Sequence, residues 1–178
     1  MADTYRDLDE YLALANSGRD GFIARNPHPF LVRLPDSRPV DIDPWKDDFS
    51  YATRVPGLVV DDDDEGEDRS AQAVVIVPVR KRPGGPFPMR IGLGRARNCD
   101  VCLRFVSVSK LHAQFYIDTQ PWSLIDLESA NGTFIGGKRL PPRVPTPVEI
   151  GAQLQFGSMA VELMDAGTLF DRLATRKR

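Results

Sequence analysis

The sequence predicts an all-β sandwich behind an acidic, mostly irregular N-terminal extension. Three observations carry this. After residue 69 the chain breaks into short runs rich in β-branched and aromatic residues, each closed by Pro, Gly, Asn or Asp after about 8 to 12 residues, the spacing of sandwich or barrel strands rather than of alternating β and α units. One run, "LHAQFYID" (111–118), alternates, with Leu111, Ala113, Phe115 and Ile117 on one face and His112, Gln114, Tyr116 and Asp118 on the other. The run "DDDDEGED" (61–68) repels itself and buries too little apolar area to fold, so it reads as a linker.

Taken in order, residues 1–60 form the extension. Within "YRDLDEYLALANSG", Tyr5, Leu8, Leu12 and Ala15 recur at helical spacing ahead of Asn16-Ser17-Gly18, which predicts a short amphipathic helix. Prolines at 27, 29, 35, 39, 44 and 56 then exclude long regular structure, and two apolar runs, "PFLVRL" and "RVPGLVV", fit strands or docking segments equally. Residues 61–70 are the linker and 71–165 the sandwich, with strands over "AQAVVIVPVR", "RIGLG", "DVCLRF", "LHAQFYID", "WSLIDL", "TFIGG", "PVEIG", "QLQFG" and "MAVELM". Residues 166–178 predict a closing helix or tail, N-capped by Asp165 and ending in cations suited to a helix C-terminus.

With 178 residues and 42% hydrophobic content, the chain supports one core with extensions. No run reaches the roughly 18 apolar residues of a membrane span, and "MADTYRDLDE" lacks the basic-then-apolar order of a signal peptide, so a cytoplasmic protein with no membrane partner is expected. Cys99 and Cys102 are too few for a disulfide framework and lack the second ligand pair of a zinc site; strand-edge packing is the expectation, with no metal. The net charge of −2 hides an asymmetry: residues 1–68 hold 7 Lys+Arg against 17 Asp+Glu, and residues 69–178 hold 16 against 8. The two parts should attract.

Catalysis finds no support. The stretch "SVSKLHAQF" pairs Ser109 with His112, but a nucleophilic serine needs an exposed glycine-flanked turn and an orienting acid as well as a base, and the only histidines are His28 and His112. "GLGRAR" departs from a dinucleotide fingerprint at Arg97 and lies between strands. The basic residues of the second half are scattered without a stripe of stacking aromatics, against a nucleic-acid partner. The same residues suit a phosphate held in loops: Arg95 offers a planar fork of donors, Ser109 a hydroxyl, Lys110 a point charge, and Asn131 an amide for a peptide main chain.

"LGRARNCDVCL", "VSVSKLHAQF", "WSLIDLESANGTFIGGKRL" and "EIGAQLQFG" resemble, in order and spacing, the forkhead-associated (FHA) domain. The resemblance implies a β-sandwich of about eleven strands that binds phosphothreonine peptides through loops at one end, without a cofactor and downstream of a serine/threonine kinase. It assigns the phosphate to Arg95 and Ser109, flanked by Lys110, and the peptide main chain to Asn131. Gly94, His112 and Gly132 become structural supports: Gly94 permits the turn that aims Arg95, His112 braces the loops, and Gly132 supplies a positive φ. Two positions depart from the pattern, Ala130 where some members carry threonine and Gly136 where asparagine is common. The expected function is a phosphothreonine-binding adaptor; the alternative is an FHA-type scaffold indifferent to phosphate. The acidic N-terminal part, through its carboxylates or a phosphorylated Thr4, is expected as an intramolecular competitor.

Overall fold

The computed structural model describes residues 8–33 and 75–175, which form two facing sheets and a helical layer. The first sheet has the order β2-β1-β11-β10-β7-β8, with β1 at Phe30–Arg33, β2 at Val75–Pro78, β7 at Thr133–Ile135, β8 at Lys138–Arg139, β10 at Gln153–Phe156 and β11 at Met159–Met164. The second has the order β4-β3-β5-β6-β9, with β3 at Arg90–Gly94, β4 at Val101–Cys102, β5 at Ala113–Tyr116, β6 at Trp122–Asp126 and β9 at Thr146–Val148. Among the described residues only β3 and β4 pair in parallel. The sandwich of eleven strands matches the fold class read from the sequence.

Alternation along the strands builds the core between the sheets. Leu31, Val75, Val77, Leu93, Phe115, Leu124, Leu154, Phe156, Val161 and Leu163 all point into it and are almost wholly buried. Strands β1 and β2 are buried on their other face too. Phe30, Val32 and Ile76 meet a second apolar cluster contributed by helices α1 (Leu8–Leu14), α2 (Arg19–Arg25) and α3 (Ala166–Thr175), through Tyr11, Phe22, Leu169 and Leu173. Tyr11 packs edge-on against Phe30 with ring centroids 5.7 Å apart. Asp165 caps α3, its Oδ1 accepting the Thr168 backbone N–H at 2.6 Å.

The N-terminal region is more structured than the sequence reading made it. The helix expected from its first residues runs as α1 and continues as a 3₁₀ turn over Ala15–Ser17, and Gly18 at φ +79° breaks it. A second helix, α2, then leads to β1, so the "FLVR" of "PFLVRL" is a strand: Phe30↔Pro78 and Arg33↔Val75 pair it with β2, and Phe30↔Met164 pairs it with β11. Residues 30–33 therefore belong inside the sandwich, which corrects the boundary drawn between an extension at 1–60 and a domain at 71–165. "RVPGLVV", the acidic run 61–68 and Thr4 lie outside the described residues. A second correction concerns "LHAQFYID". The alternation holds from Ala113 to Tyr116, but Leu111 is half-exposed and His112 is completely buried, because both precede β5 in a loop that turns the imidazole inward.

Candidate functional site

Strand β3 ends at Gly94, where a side chain has no room: a Cβ there would lie 2.3 Å from the Lys110 carbonyl oxygen. That close approach lets the two loops zip together, with the Arg95 N–H donating to the Ser109 carbonyl at 3.0 Å and the Ala96 N–H to the Lys110 carbonyl at 3.1 Å. The Cys99 thiol also donates to the Lys110 carbonyl, at 3.2 Å, and the Cys102 thiol to the Arg95 carbonyl, at 3.7 Å. Both cysteines are free and buried, and burial pushes the Cys99 thiol pKa above its ordinary value, with the neighbouring Cys102 adding to the effect. The backbone of both basic residues is thus fixed, while the Arg95 and Lys110 side chains are exposed and take no hydrogen bond or ion pair among the described residues.

The far end of the β3–β4 loop is anchored by Asp100. Its carboxylate accepts from the Lys81 ammonium at 2.8 Å, the Gly92 N–H at 2.9 Å and the Arg82 N–H at 3.0 Å. Burial raises its pKa, but the Lys81 ammonium and the two backbone donors outweigh that and leave it lowered.

His112 joins the two halves of the site. Its Nδ1 accepts the Ser109 backbone N–H at 3.0 Å, which leaves Nε2 as the protonated nitrogen, donating to the Gly132 carbonyl at 3.1 Å. Burial drives the imidazole pKa down, against the Gly132 carbonyl and the Asp126 charge, which both favour the cation. The Gly132 carbonyl also accepts the Gly157 N–H at 3.0 Å, and Gly132 itself adopts φ +82°.

The Ser109 hydroxyl accepts the Ala130 N–H at 3.0 Å. With that lone pair engaged, its proton is left to donate outward. Asn131 uses Nδ2 to hold the Ser107 carbonyl at 2.8 Å; its Oδ1 takes no bond among the described residues and can accept a peptide N–H. Arg95, Ser109, Lys110 and Asn131 are therefore all supplied by loops laced together at one end of the sandwich, with Gly94, His112 and Gly132 beneath them.

Several residues of this end escaped the sequence reading. Asp126, buried, ties the β6–β7 loop by accepting from the Ser129 hydroxyl at 2.5 Å, the Thr133 hydroxyl at 2.6 Å and the Ser129 N–H at 3.2 Å. Gly157 is a further close approach, since a Cβ on it would lie 2.3 Å from the Ser107 carbonyl oxygen. The "Ser-x-Asn-Gly-Thr" run already contained two of the Asp126 partners; the acid three residues before it was the available signal. Among the described residues no group of three or more His, Cys, Asp or Glu gathers as a metal site, and no helix is long and apolar enough to cross a membrane.

Comparison with known proteins bears on this end of the molecule. Human kanadaptin is 36% identical over a match that covers 36% of this chain and 10% of that protein, so the chain spans about a tenth of the length of that curated relative. An FHA domain solved in a study of phosphothreonine-dependent interactions superposes with a TM-score of 0.42 at 21% identity, covering 57% of this chain and 88% of that one. The N-terminal FHA domain of Saccharomyces cerevisiae Rad53, solved with a phosphothreonine peptide, superposes at 0.40 with 19% identity, covering 47% and 73%. EmbR of Mycobacterium tuberculosis, solved with a low-affinity phosphopeptide, superposes at 0.41 with 17% identity, covering 54% and 22%. The FHA domain family model matches residues 91–157, from β3 through the turn after β10, which contains every candidate site residue. Residues 91–157 thus match an FHA domain, and β1, β2 and β11 complete the same sandwich from outside the matched stretch.

Proposed function

We propose that this protein is a non-catalytic, cytoplasmic adaptor that binds phosphothreonine peptides in serine/threonine-kinase signalling. One observation carries the reading: the side chains of Arg95 and Lys110 and the proton of the Ser109 hydroxyl stand unengaged among the described residues, on backbone that is locked by hydrogen bonds. A preorganised set of one guanidinium, one hydroxyl and one ammonium matches the three acceptor oxygens and double charge of a phosphate. Asn131 beside them offers the main-chain contact that a peptide, rather than a free phosphate, requires. The test is titration of the full chain with one peptide in phosphothreonine, phosphoserine and unphosphorylated forms. Phosphothreonine should bind tightest, and equal curves for all three would favour the phosphate-indifferent scaffold.

Strand ends support a second level of control, by the chain's own carboxylates. β1 leaves its sheet at Arg33 and β2 enters it at Val75, paired with each other. Arg33 Nη1 lies 3.8 Å from Sδ of Met159, the residue that follows the Gly157–Ser158 turn packed against Ser107. Residues 34–74, with 12 Asp and Glu against 4 Lys and Arg, are therefore tethered at both ends to the end of the sandwich that holds Arg95 and Lys110. Tethering raises effective concentration without any new contact. Replacing Asp61 to Asp64 with asparagine in the full chain should tighten phosphopeptide binding at low salt, and the gain should shrink as salt screens the charges.

A further inference from the structure

Arg139 is exposed beside the peptide-binding loops, and its place is fixed by the hairpin that carries it. Gly136 and Gly137, at φ +56° and +81°, make the two-residue turn between β7 and β8, and the register Phe134↔Arg139 folds the arginine back toward the β6–β7 loop. There its guanidinium lies against Gly132: a Cβ at that glycine would be 2.7 Å from Nε and 3.1 Å from Cζ and Nη2. Gly132 is immobilised by three contacts at once, the His112 imidazole and the Gly157 N–H on its carbonyl and the arginine over its α-carbon. The residue before it is Asn131.

The charge of Arg139 is left over. The acid of the same loop, Glu128, is taken by Arg143, whose Nη2 donates to Glu128 Oε2 at 2.8 Å. Among the described residues Arg139 has neither an ion pair nor a hydrogen bond. A planar fork of donors, seated on rigid backbone one residue from the peptide-gripping amide, is arranged for a carboxylate. We propose that Arg139 is a specificity residue that selects an acidic side chain on the stretch of phosphopeptide passing Asn131. The inference rests on the phosphothreonine reading and deepens it, adding a second charge requirement to the first.

The experiment uses the full chain and a panel of phosphothreonine peptides in which each of the four positions on either side of the phosphothreonine is Ala, Asp or Lys in turn. The wild-type protein should favour Asp over Ala at one position by about fivefold, the size expected of an accessible but well-oriented ion pair. Arg139→Ala should remove that preference and leave binding of the all-Ala parent nearly unchanged; Arg139→Glu should favour Lys at that position. Arg95→Ala should instead weaken every peptide alike. Unchanged Asp-to-Lys ratios at all positions in Arg139→Glu, with phosphate dependence retained, would overturn the inference alone. Loss of phosphate dependence in the wild type would overturn both readings.

Discussion

The Ser109 hydroxyl oxygen accepts the Ala130 backbone N–H at 3.0 Å, and by this bond the β4–β5 and β6–β7 loops meet at the atom proposed to touch the phosphate. Ser109→Ala removes a phosphate donor and leaves an exposed N–H that water can satisfy. Phosphothreonine-peptide affinity should fall about tenfold, while the thermal midpoint moves by no more than about 2 °C. Calorimetric titration and thermal scans of the same sample separate the two effects.

Arg95→Ala should cost about tenfold or more in phosphopeptide affinity, because a charge-assisted donor to the phosphate is lost. Affinity for the unphosphorylated peptide should stay as it was. A uniform loss on both peptides would show that the arginine supports the loop instead of reading the phosphate.

His112→Ala should behave in the opposite way, unfolding the protein earlier. It strands the Ser109 N–H beneath the site, leaves the Gly132 carbonyl with the Gly157 N–H alone and opens a cavity, for a cost of about 3 kcal/mol. The imidazole also sets a pH dependence. Its folded pKa lies below the ordinary value near 6.5, so below that pH the unfolded chain binds the proton more readily than the native one. Stability should therefore be level above about pH 6.5 and decline as pH falls toward the folded pKa, with a slope of up to about 1.4 kcal/mol per pH unit. Denaturant midpoints from pH 7.5 to 5 should show this decline, and His112→Ala should lack its share of it.

A chain beginning at residue 70 should fail to fold as a stable sandwich. It loses β1, leaving β2 without a strand partner, and it uncovers Ile76, Met164, Leu169 and Leu173. Near-ultraviolet circular dichroism should be weak and a dye for exposed apolar surface should bind. A cooperative unfolding transition equal to that of the full chain would contradict the role given to β1.

The sandwich was legible because most of its strands have one face in the core and one in water, the condition under which alternation appears. β1 was ambiguous for the converse reason. Phe30 and Val32 face the helices while Leu31 faces the core, so "FLV" carries no period of two and reads equally as a docking segment. At the site, the residues proposed to face the phosphate could be named because their chemistry is local to short motifs. Arg139 could not, since its importance comes from a two-glycine turn and from the absent side chain of Gly132, neither of which marks a binding position in sequence. Asp126 was hidden in the same way, its partners Ser129 and Thr133 being brought to it by the turn of the loop.

The pairing of β1 with β11 sets an order of events during synthesis. Val32 lies opposite Glu162, so β1 cannot be finished into its sheet until β11, about 130 residues later, has emerged. Its early neighbour β2 offers only a two-stranded hairpin across residues 34–74, which is marginal alone in water. Until then Phe30, Leu31 and Val32 form a short sticky segment on a growing chain, the kind that recruits other chains. Residues 34–74, which follow this segment, carry 12 Asp and Glu against 4 Lys and Arg, a flanking charge of one sign that opposes association between chains.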